Sequence, residues 1–375
     1  MIKFKYYTER KKVMGITKKL LILSLAVITL LCSCGKTNND ESANTENEAG
    51  ISTVKPFNPK DKATFSNAEF KEIIAETLGV SESALTYEHL NEISGIDVYY
   101  YAERVGNTNE YKPIWSVTIK KNGFDEVFNK YYNTPKEERE GLESPSDYSY
   151  NKQTDTFDGY KDIMYFTNLK ELSFNSEYTI MDFDPVQFFE NLTNLESLTL
   201  YNYVVTDIER ISKFTNLEKL SIGLNLRNVP DGMEIDYIDD ISPLSKLKKL
   251  EVLSLYGNAV SDITPLVSLT KLKELYIIQA ALSDVSAVAE MDNLVYVSFM
   301  YNAIQDVTPF TKMDNIETIN LDYNYIQDIS PFANLDPEKI QYVSVDMNAF
   351  SDDTPLKHLG KNKVNLGYDP YWDFE

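Results

Sequence analysis

Few side chains in this chain could carry covalent or acid–base chemistry. Its 375 residues include 2 Cys and 2 His. Both thiols, Cys32 and Cys34, lie near the N-terminus, so the remainder can build neither a disulfide nor a thiolate metal site. His89 and His358 fall in opposite halves, and a lone histidine is more often a surface or core residue than a ligand. An enzyme needs an acid, base or nucleophile that converge on one point, whereas the carboxylates here are scattered. The densest run, Asp231, Glu234, Asp236, Asp239 and Asp240, lacks the fixed spacing of a dedicated calcium loop and reads as a solvated insertion. The sequence therefore points away from catalysis, and it calls for no cofactor and no metal.

The elements that would position any site begin with a leader. Lys11, Lys12, Lys18 and Lys19 precede an uncharged apolar run from Leu20 to Leu31, too short for a stable spanning helix and suited to export. It ends in Leu31-Cys32-Ser33-Cys34, which resembles the bacterial lipobox, where a small residue precedes an acylated cysteine. Cys34 follows Ser33 and is the expected lipidation site; Cys32 follows the bulkier Leu30 and Leu31. An uncleaved anchor helix is the alternative, and Met14 is an alternative start. Residues up to 34 hold seven Lys or Arg against one Glu, so the remainder carries about −28 where the whole chain carries −22. Such a surface repels phosphate backbones and excludes nucleic acid as a partner. It also leaves the acyl chains as the sole membrane attachment. Gly35 to Pro59 is polar and poor in large apolar residues, which suits a flexible tether. The expected organisation is a lipoprotein signal over 1–33, a tether over 34–59, a cap domain over 60–163 and a repeat domain over 164–375.

The repeat dominates the second half. Leu250-x-x-Leu253-x-Leu255-x-x-Asn258 recurs from Leu294 and Ile316 at a 22-residue spacing that includes a degenerate copy from Leu272. Further copies start at Leu169, Leu195, Leu217 and Ile340, and Val364 with Leu366 suits a shortened last strand. A fixed period of this length means stacked units, each burying its apolar side on its neighbours. Asn225, Asn258, Asn302, Asn324 and Asn348 sit where the chain leaves the strand, and a buried amide there can serve backbone groups that the turn leaves free. Glu177, Tyr203 and Ala280 interrupt that row. The second half of a copy reads Asp-Ile-Thr-Pro-Leu, as from Asp262 to Leu266, with versions at Asp240, Asp306 and Asp328. Ser or Thr before Pro suits a helical start capped by the hydroxyl. The Asp row is read as part of that capping rather than as a metal site.

Upstream, Ser66 to Glu69 reads as a capping box that opens a helix, with Phe70, Ile73, Ile74 and Leu78 at helical spacing and Gly79 as the stop. Ile96–Tyr101 and Ile114–Ile119 are strand-like, and Phe124–Tyr132 suits a helix. Together they read as an elaborated cap, with a small independent domain as the alternative. Tyr371-Trp372-Asp373-Phe374 is expected to cover the last repeat.

The string Leu-x-x-Leu-x-Leu-x-x-Asn-x-Ile-x-Asp-Ile-x-Pro-Leu-x-x-Leu-Thr, over about residues 164 to 359, resembles the internalin-type leucine-rich repeat of bacterial surface proteins. The resemblance implies an α/β solenoid: a leucine-rich-repeat horseshoe with a parallel concave sheet, a 3₁₀ or helical convex side and an N-terminal α+β cap. It also implies a surface protein that recognises another macromolecule. Neither an immunoglobulin-like segment nor a wall-sorting tail is recognisable after the repeats, so host-cell adhesion does not carry over.

Residues that alternate with the buried leucines should face outward. They are Tyr201, Tyr256, Tyr276, Ile278, Tyr296, Met300, Asn320, Asp322, Tyr342 and Asp346, bordered by Tyr301, Tyr323 and Met347. Tyr and Met are enriched where proteins meet. The number of rings on one face favours binding over mere strand propensity. The expected partner is an extracellular protein or peptide, with a glycan as a close variant because aromatic faces also stack on sugars. The expected place is the outer face of a bacterial cell membrane, and a structural scaffold in an envelope complex is the competing role.

Overall fold

The computed structural model describes residues 58–104, 111–121, 130–131, 158–177, 180–181, 183–226 and 235–367. The leader, Cys34, most of the tether, Asp231, Glu234 and the closing Tyr371–Phe374 segment lie outside them. Lys62–Glu375 forms one compact unit, and the description below is of that unit.

Each copy of the repeat contributes one short strand. In chain order these are β4 (Glu171–Ser176), β5 (Ser197–Tyr201), β6 (Lys219–Gly223), β7 (Val252–Tyr256), β8 (Glu274–Ile278), β9 (Tyr296–Ser298), β10 (Thr318–Asn320), β11 (Tyr342–Ser344) and β12 (Val364–Asn365). Successive strands pair in parallel, each with the next, so sequence order is spatial order. Along β5, β7 and β8 half-buried and buried residues alternate, because the pleat sends successive side chains to opposite faces. Leu198, Leu200, Leu253, Leu255, Leu275 and Ile277 turn inward and are buried in one continuous core that also includes Phe299, Ile319, Leu321 and Val343. Deleting one such side chain leaves a cavity, at a typical cost of about 2–5 kcal/mol.

The asparagine row acts between repeats as its position suggests. The Asn324 Oδ1 accepts from Ile304 N–H at 3.0 Å while its Nδ2 donates to Phe299 O at 2.8 Å, both in the preceding copy. Asn302 does the same toward Leu282 N–H and Ile277 O, at 3.1 and 2.6 Å. Asn348 reaches Ile326 N–H and Leu321 O, at 3.1 and 2.9 Å. At the interruption by Tyr203, the residue before it takes over: Asn202 Nδ2 donates to Ser176 O at 2.7 Å and its Oδ1 accepts from Asn225 N–H at 2.6 Å. Tyr203 itself is buried, and among the described residues its hydroxyl has no hydrogen-bond partner.

A second asparagine row, unforeseen from the sequence, lies just before the strands. Asn194, Asn216, Asn293 and Asn315 donate to Thr167, Thr193, Thr270 and Asp292 carbonyls at 2.9, 2.8, 2.7 and 2.7 Å, each in the preceding copy. Its signature was the recurrent Thr-Asn-Leu, Asp-Asn-Leu or Asp-Asn-Ile at the start of a copy.

The opposite side consists of 3₁₀ turns such as Thr264–Ser268, Thr308–Lys312 and Ser330–Asn334, each with Pro at its start. Of the expected capping, the part given to the Asp row holds and the part given to the hydroxyl does not. No hydroxyl caps these turns; the carboxylate two residues earlier does, with Asp262, Asp306 and Asp328 each accepting the N–H of Thr264, Thr308 or Ser330 at 2.8 Å. A carboxylate accepts a charge-assisted bond that a hydroxyl cannot match. The equivalent backbone bond, with help from the Ser hydroxyl, holds the Asp240, Asp284 and Asp328 carboxyls below the ordinary aspartate value, and at Asp352 the Thr354 hydroxyl and N–H do the same.

The cap departs from expectation in two places. Helix α1 (Ala68–Leu78) starts one residue later than the capping box suggested: Asn67 is the N-cap and its Oδ1 accepts from Phe70 N–H at 2.7 Å. Ser66 instead gives its N–H and hydroxyl to the buried Asp162, at 2.8 and 3.1 Å, and so ties the helix start to the approach to the first copy. Gly79 ends α1 in the left-handed region at φ 70°, as expected. Most of Phe124–Tyr132 lies outside the described residues, but its Lys130–Tyr131 is strand β3 rather than helix, because it pairs with Ser116 and Val117.

The strands β1 (Ile93–Arg104) and β2 (Tyr111–Lys121) form an antiparallel pair. The first of them also pairs in parallel with β4, Ile96 opposite Leu172 and Val98 opposite Phe174. Ile93-x-x-Ile96-x-Val98 is the repeat's own apolar pattern, and all three side chains are buried. The cap therefore continues the repeat sheet and covers the first copy with an uninterrupted core.

Replacing Asn324 by Ala would leave Ile304 N–H and Phe299 O without their partner in the interior. We expect a loss of about 1–3 kcal/mol, and a smaller loss for Asn293→Ala, whose amide is exposed. Urea unfolding of both variants measures the difference; equal losses would show that the buried row has no special weight.

Candidate functional site on the strand face

The ten candidate residues all fall on the outer face of the sheet or at its C-terminal edge, where they form three rows. Tyr296 and Tyr342 start their strands, Tyr276 and Asn320 occupy the middle row, and the other six sit where the strands end. Along the last row the chemistry changes, from Tyr201 and Tyr256 through Ile278 and Met300 to Asp322 and Asp346.

The tyrosines pair rather than forming one even stripe. Tyr201 and Tyr256 lie on β5 and β7, two strands apart, yet their rings approach to 6.4 Å between centroids. The intervening residue is Gly223, where a Cβ would sit 2.9 Å from the Tyr201 ring, so the missing side chain lets the rings lean together. Tyr276 and Tyr296 on adjacent strands approach to 4.8 Å with a 33° tilt, and the Tyr276 hydroxyl donates to Glu274 Oε2 at 2.8 Å. Burial and that carboxylate raise the Tyr276 phenol well above its ordinary value. Burial raises Tyr201 as well, so both hydroxyls stay protonated at physiological pH.

Tyr301 and Tyr323 border the face in a conformation that no sequence pattern announced. Both have positive φ, 57° and 59°, as do Asn202, Gln279, Met347 and Gly257 at the same place in their copies. For a bulky L-residue this backbone costs roughly 1–2 kcal/mol. The neighbouring copy holds it: Tyr301 N–H donates to Asp322 O at 3.0 Å and Tyr323 N–H to Asp346 O at 2.9 Å. The two rings stack at 4.1 Å and 14°. At Gly257 the fit is tighter still, since a Cβ there would lie 1.9 Å from the Leu224 carbonyl oxygen.

Asp322 was expected as an open contact residue and is not one. It is 8% exposed, and one carboxylate oxygen accepts from Ser344 Oγ at 2.5 Å and from Asp346 N–H at 2.7 Å. The small Ser344 beside it leaves the carboxylate room to fold onto the next copy, which makes Asp322 a strut between repeats. Asn320 likewise turns back, its Oδ1 accepting from Asp322 N–H at 3.1 Å. Both histidines are structural too: His89 Nδ1 accepts from Thr86 N–H at 3.0 Å, and His358 Nε2 lies 2.8 Å from Leu335 O. Of the acidic insertion, Asp236, Asp239 and Asp240 are exposed, and Asp240 caps the next turn through Ser242 N–H at 2.8 Å.

Solved structures share this architecture. An internalin, InlF, from Listeria monocytogenes superposes with a TM-score of 0.52 at 24% identity, over 85% of this chain and 79% of its own. The fold is a leucine-rich-repeat solenoid. Internalin C2 from the same species gives a TM-score of 0.46 at 20% identity, over 84% of this chain and 99% of its own. A Leptospira interrogans leucine-rich-repeat protein gives 0.31 at 18%, over 55% and 68%. No protein-family model matches the sequence, and no curated protein matches it.

Burial and the charge of Asp346 raise the Asp322 carboxyl above its ordinary value. A carboxyl raised on folding adds stability while protonated, below the unfolded value of about 3.9, and loses that contribution as pH rises through the folded value. Asp322→Asn removes the charge and keeps an oxygen for both bonds. The variant should match or exceed the parent in stability at pH 7, with the difference shrinking below about pH 4. Chemical denaturation at both pH values measures this, and a clear loss at pH 7 would mean that the charge itself holds Ser344 and Asp346.

Proposed function

We propose that this protein is a bacterial cell-surface recognition module that binds an extracellular protein or peptide through the outer face of its repeat sheet. The observation that carries this reading is the set of paired, half-buried tyrosines. Tyr201 with Tyr256 and Tyr276 with Tyr296 present broad amphipathic contact area with few rotors to freeze. Tyr342 is 38% exposed and Met347 36%, and large apolar side chains held in the open at a sheet face favour association. The hydroxyls that meet a carboxylate here, Ser344 on Asp322 and Tyr276 on Glu274, belong to buried or half-buried side chains, and the histidines serve the backbone, so binding suits this surface better than turnover. The leucine-rich-repeat solenoid supports the same reading through its architecture alone, since it presents a row of variable residues on a rigid frame.

The test is a binding screen of residues 50–375 on beads against extracellular proteins and glycans, with the combined Tyr256→Ser, Tyr276→Ser, Tyr296→Ser variant alongside. We expect a protein partner that the variant loses by at least about tenfold. Partners that hold both forms equally would move the site off this face, and a glycan lost by the variant would replace the protein partner with a sugar.

For anchoring, the supporting observations are the basic leader, the apolar Leu20–Leu31 run and Cys34 after Ser33. No helix among the described residues is long and apolar enough to cross a membrane. A lipid on Cys34 with the polar segment after it would hold the binding face clear of the bilayer. In a bacterial host fed a labelled fatty acid, the parent should take up label and Cys34→Ala should not; label retained by the variant would rule out Cys34 as the acceptor.

A further inference from the structure

We propose that Glu274, Tyr276, Tyr296 and Tyr342 form a cation-accepting patch, which takes a lysine or arginine side chain from a basic segment of the protein partner. The inference rests on the face-binding reading above and adds the chemistry of what is bound.

Glu274 begins β8 on the outer face and is half-buried. Among the described residues its carboxylate has no ion-pair partner; the one hydrogen bond to it comes from the Tyr276 hydroxyl at 2.8 Å. The adjacent Lys273 does not serve it, because Lys273 Nζ is engaged by Glu251 Oε2 at 2.7 Å. Two other exposed carboxylates of the sheet edge do have cations: Glu196 has Lys170 at 2.7 Å, and Glu171 pairs with Lys120. A carboxylate partly withdrawn from water without a counter-charge is unfavourable, and a cation arriving from outside relieves that.

The rings around Glu274 suit the same guest. A phenol that donates to a carboxylate gains electron density in its ring, which strengthens the attraction of that ring for a cation. Tyr276 is such a phenol, and Tyr296 packs against it at 4.8 Å. Burial raises the Tyr296 phenol above its ordinary value, and the charge of Glu274 adds to the effect. Tyr342 stands two strands from Tyr296, with Thr318 between them in register, so an additional ring borders the patch across a small side chain. An ammonium or guanidinium bound here would meet one carboxylate and up to three ring faces. The net charge of −22 would steer basic segments toward the protein before contact.

The experiment measures fluorescence anisotropy of labelled decalysine, and of the same peptide with every Nε acetylated, on the purified full chain. Variants are Glu274→Gln, Tyr296→Leu and Glu290→Gln, the last on a 3₁₀ turn of the opposite side. We expect saturable binding of decalysine, at least about tenfold weaker binding of the acetylated peptide, and a loss of about tenfold in Glu274→Gln and in Tyr296→Leu with none in Glu290→Gln. Absence of binding, equal binding of both peptides, no loss in Glu274→Gln, or equal loss in Glu290→Gln would each overturn the patch. Glu274→Gln is close to isosteric, so it carries the test if Tyr296→Leu does not fold. If the patch fails while partners from the screen are still lost in the triple tyrosine variant, the face remains the binding surface and only its cation chemistry is withdrawn.

Discussion

A strand of two to six residues cannot bury its own apolar side, and its backbone groups have no partner within its own copy. Every other feature of this molecule follows from that constraint. The parallel ladder sends strand N–H and C=O groups to the copies on either side, and the two asparagine rows extend the ladder past both strand ends. A side-chain amide suits this work because it donates and accepts at once, so one residue can serve an N–H and a C=O of the preceding copy. Asn202 shows that the task, rather than the motif position, is what the stack requires.

The same stacking shapes the outer strand face. Where the strands end, the chain turns through a left-handed corner whose N–H is held by the next copy, and there Tyr301 and Tyr323 adopt a backbone that would be unfavourable alone. Strain of this sort persists only where surrounding structure over-determines it. The inner side of each strand is committed to leucine packing, and the carboxylates of the far side to capping the 3₁₀ turns. The outer strand face is then the place where large side chains are least bound by structural duty. Even so, part of it is committed: Asp322 and Asn320 turn back toward the sheet, which divides the face into an aromatic region and a polar one.

The cap belongs to the same scheme. By lending β1 to the sheet in register with β4, it gives the first copy the neighbour it would otherwise lack, and Asp162 fastens α1 to that junction. An exposed core at a solenoid end is thereby avoided at one terminus by continuing the repeat rather than by adding an unrelated lid.

The period, the inward leucines, the asparagine row and the parallel order of the strands were legible from the sequence, because each depends on spacing within one copy and every copy repeats it. The outward alternation of the tyrosines was legible for the same reason. What tertiary structure alone decided concerns distances between copies. Gly223 brings Tyr201 to Tyr256 across a strand, Ser344 draws Asp322 away from solvent, and Lys273 turns to Glu251 and leaves Glu274 facing the rings. The membership of β1 in the repeat sheet was written in Ile93, Ile96 and Val98, but a single copy without its period carries no signal above that of an ordinary strand. Local spacing determines which way a side chain points, whereas partners such as Ser344 for Asp322 and Glu251 for Lys273 come from residues 20 or more positions away, and only the stacked fold brings them together.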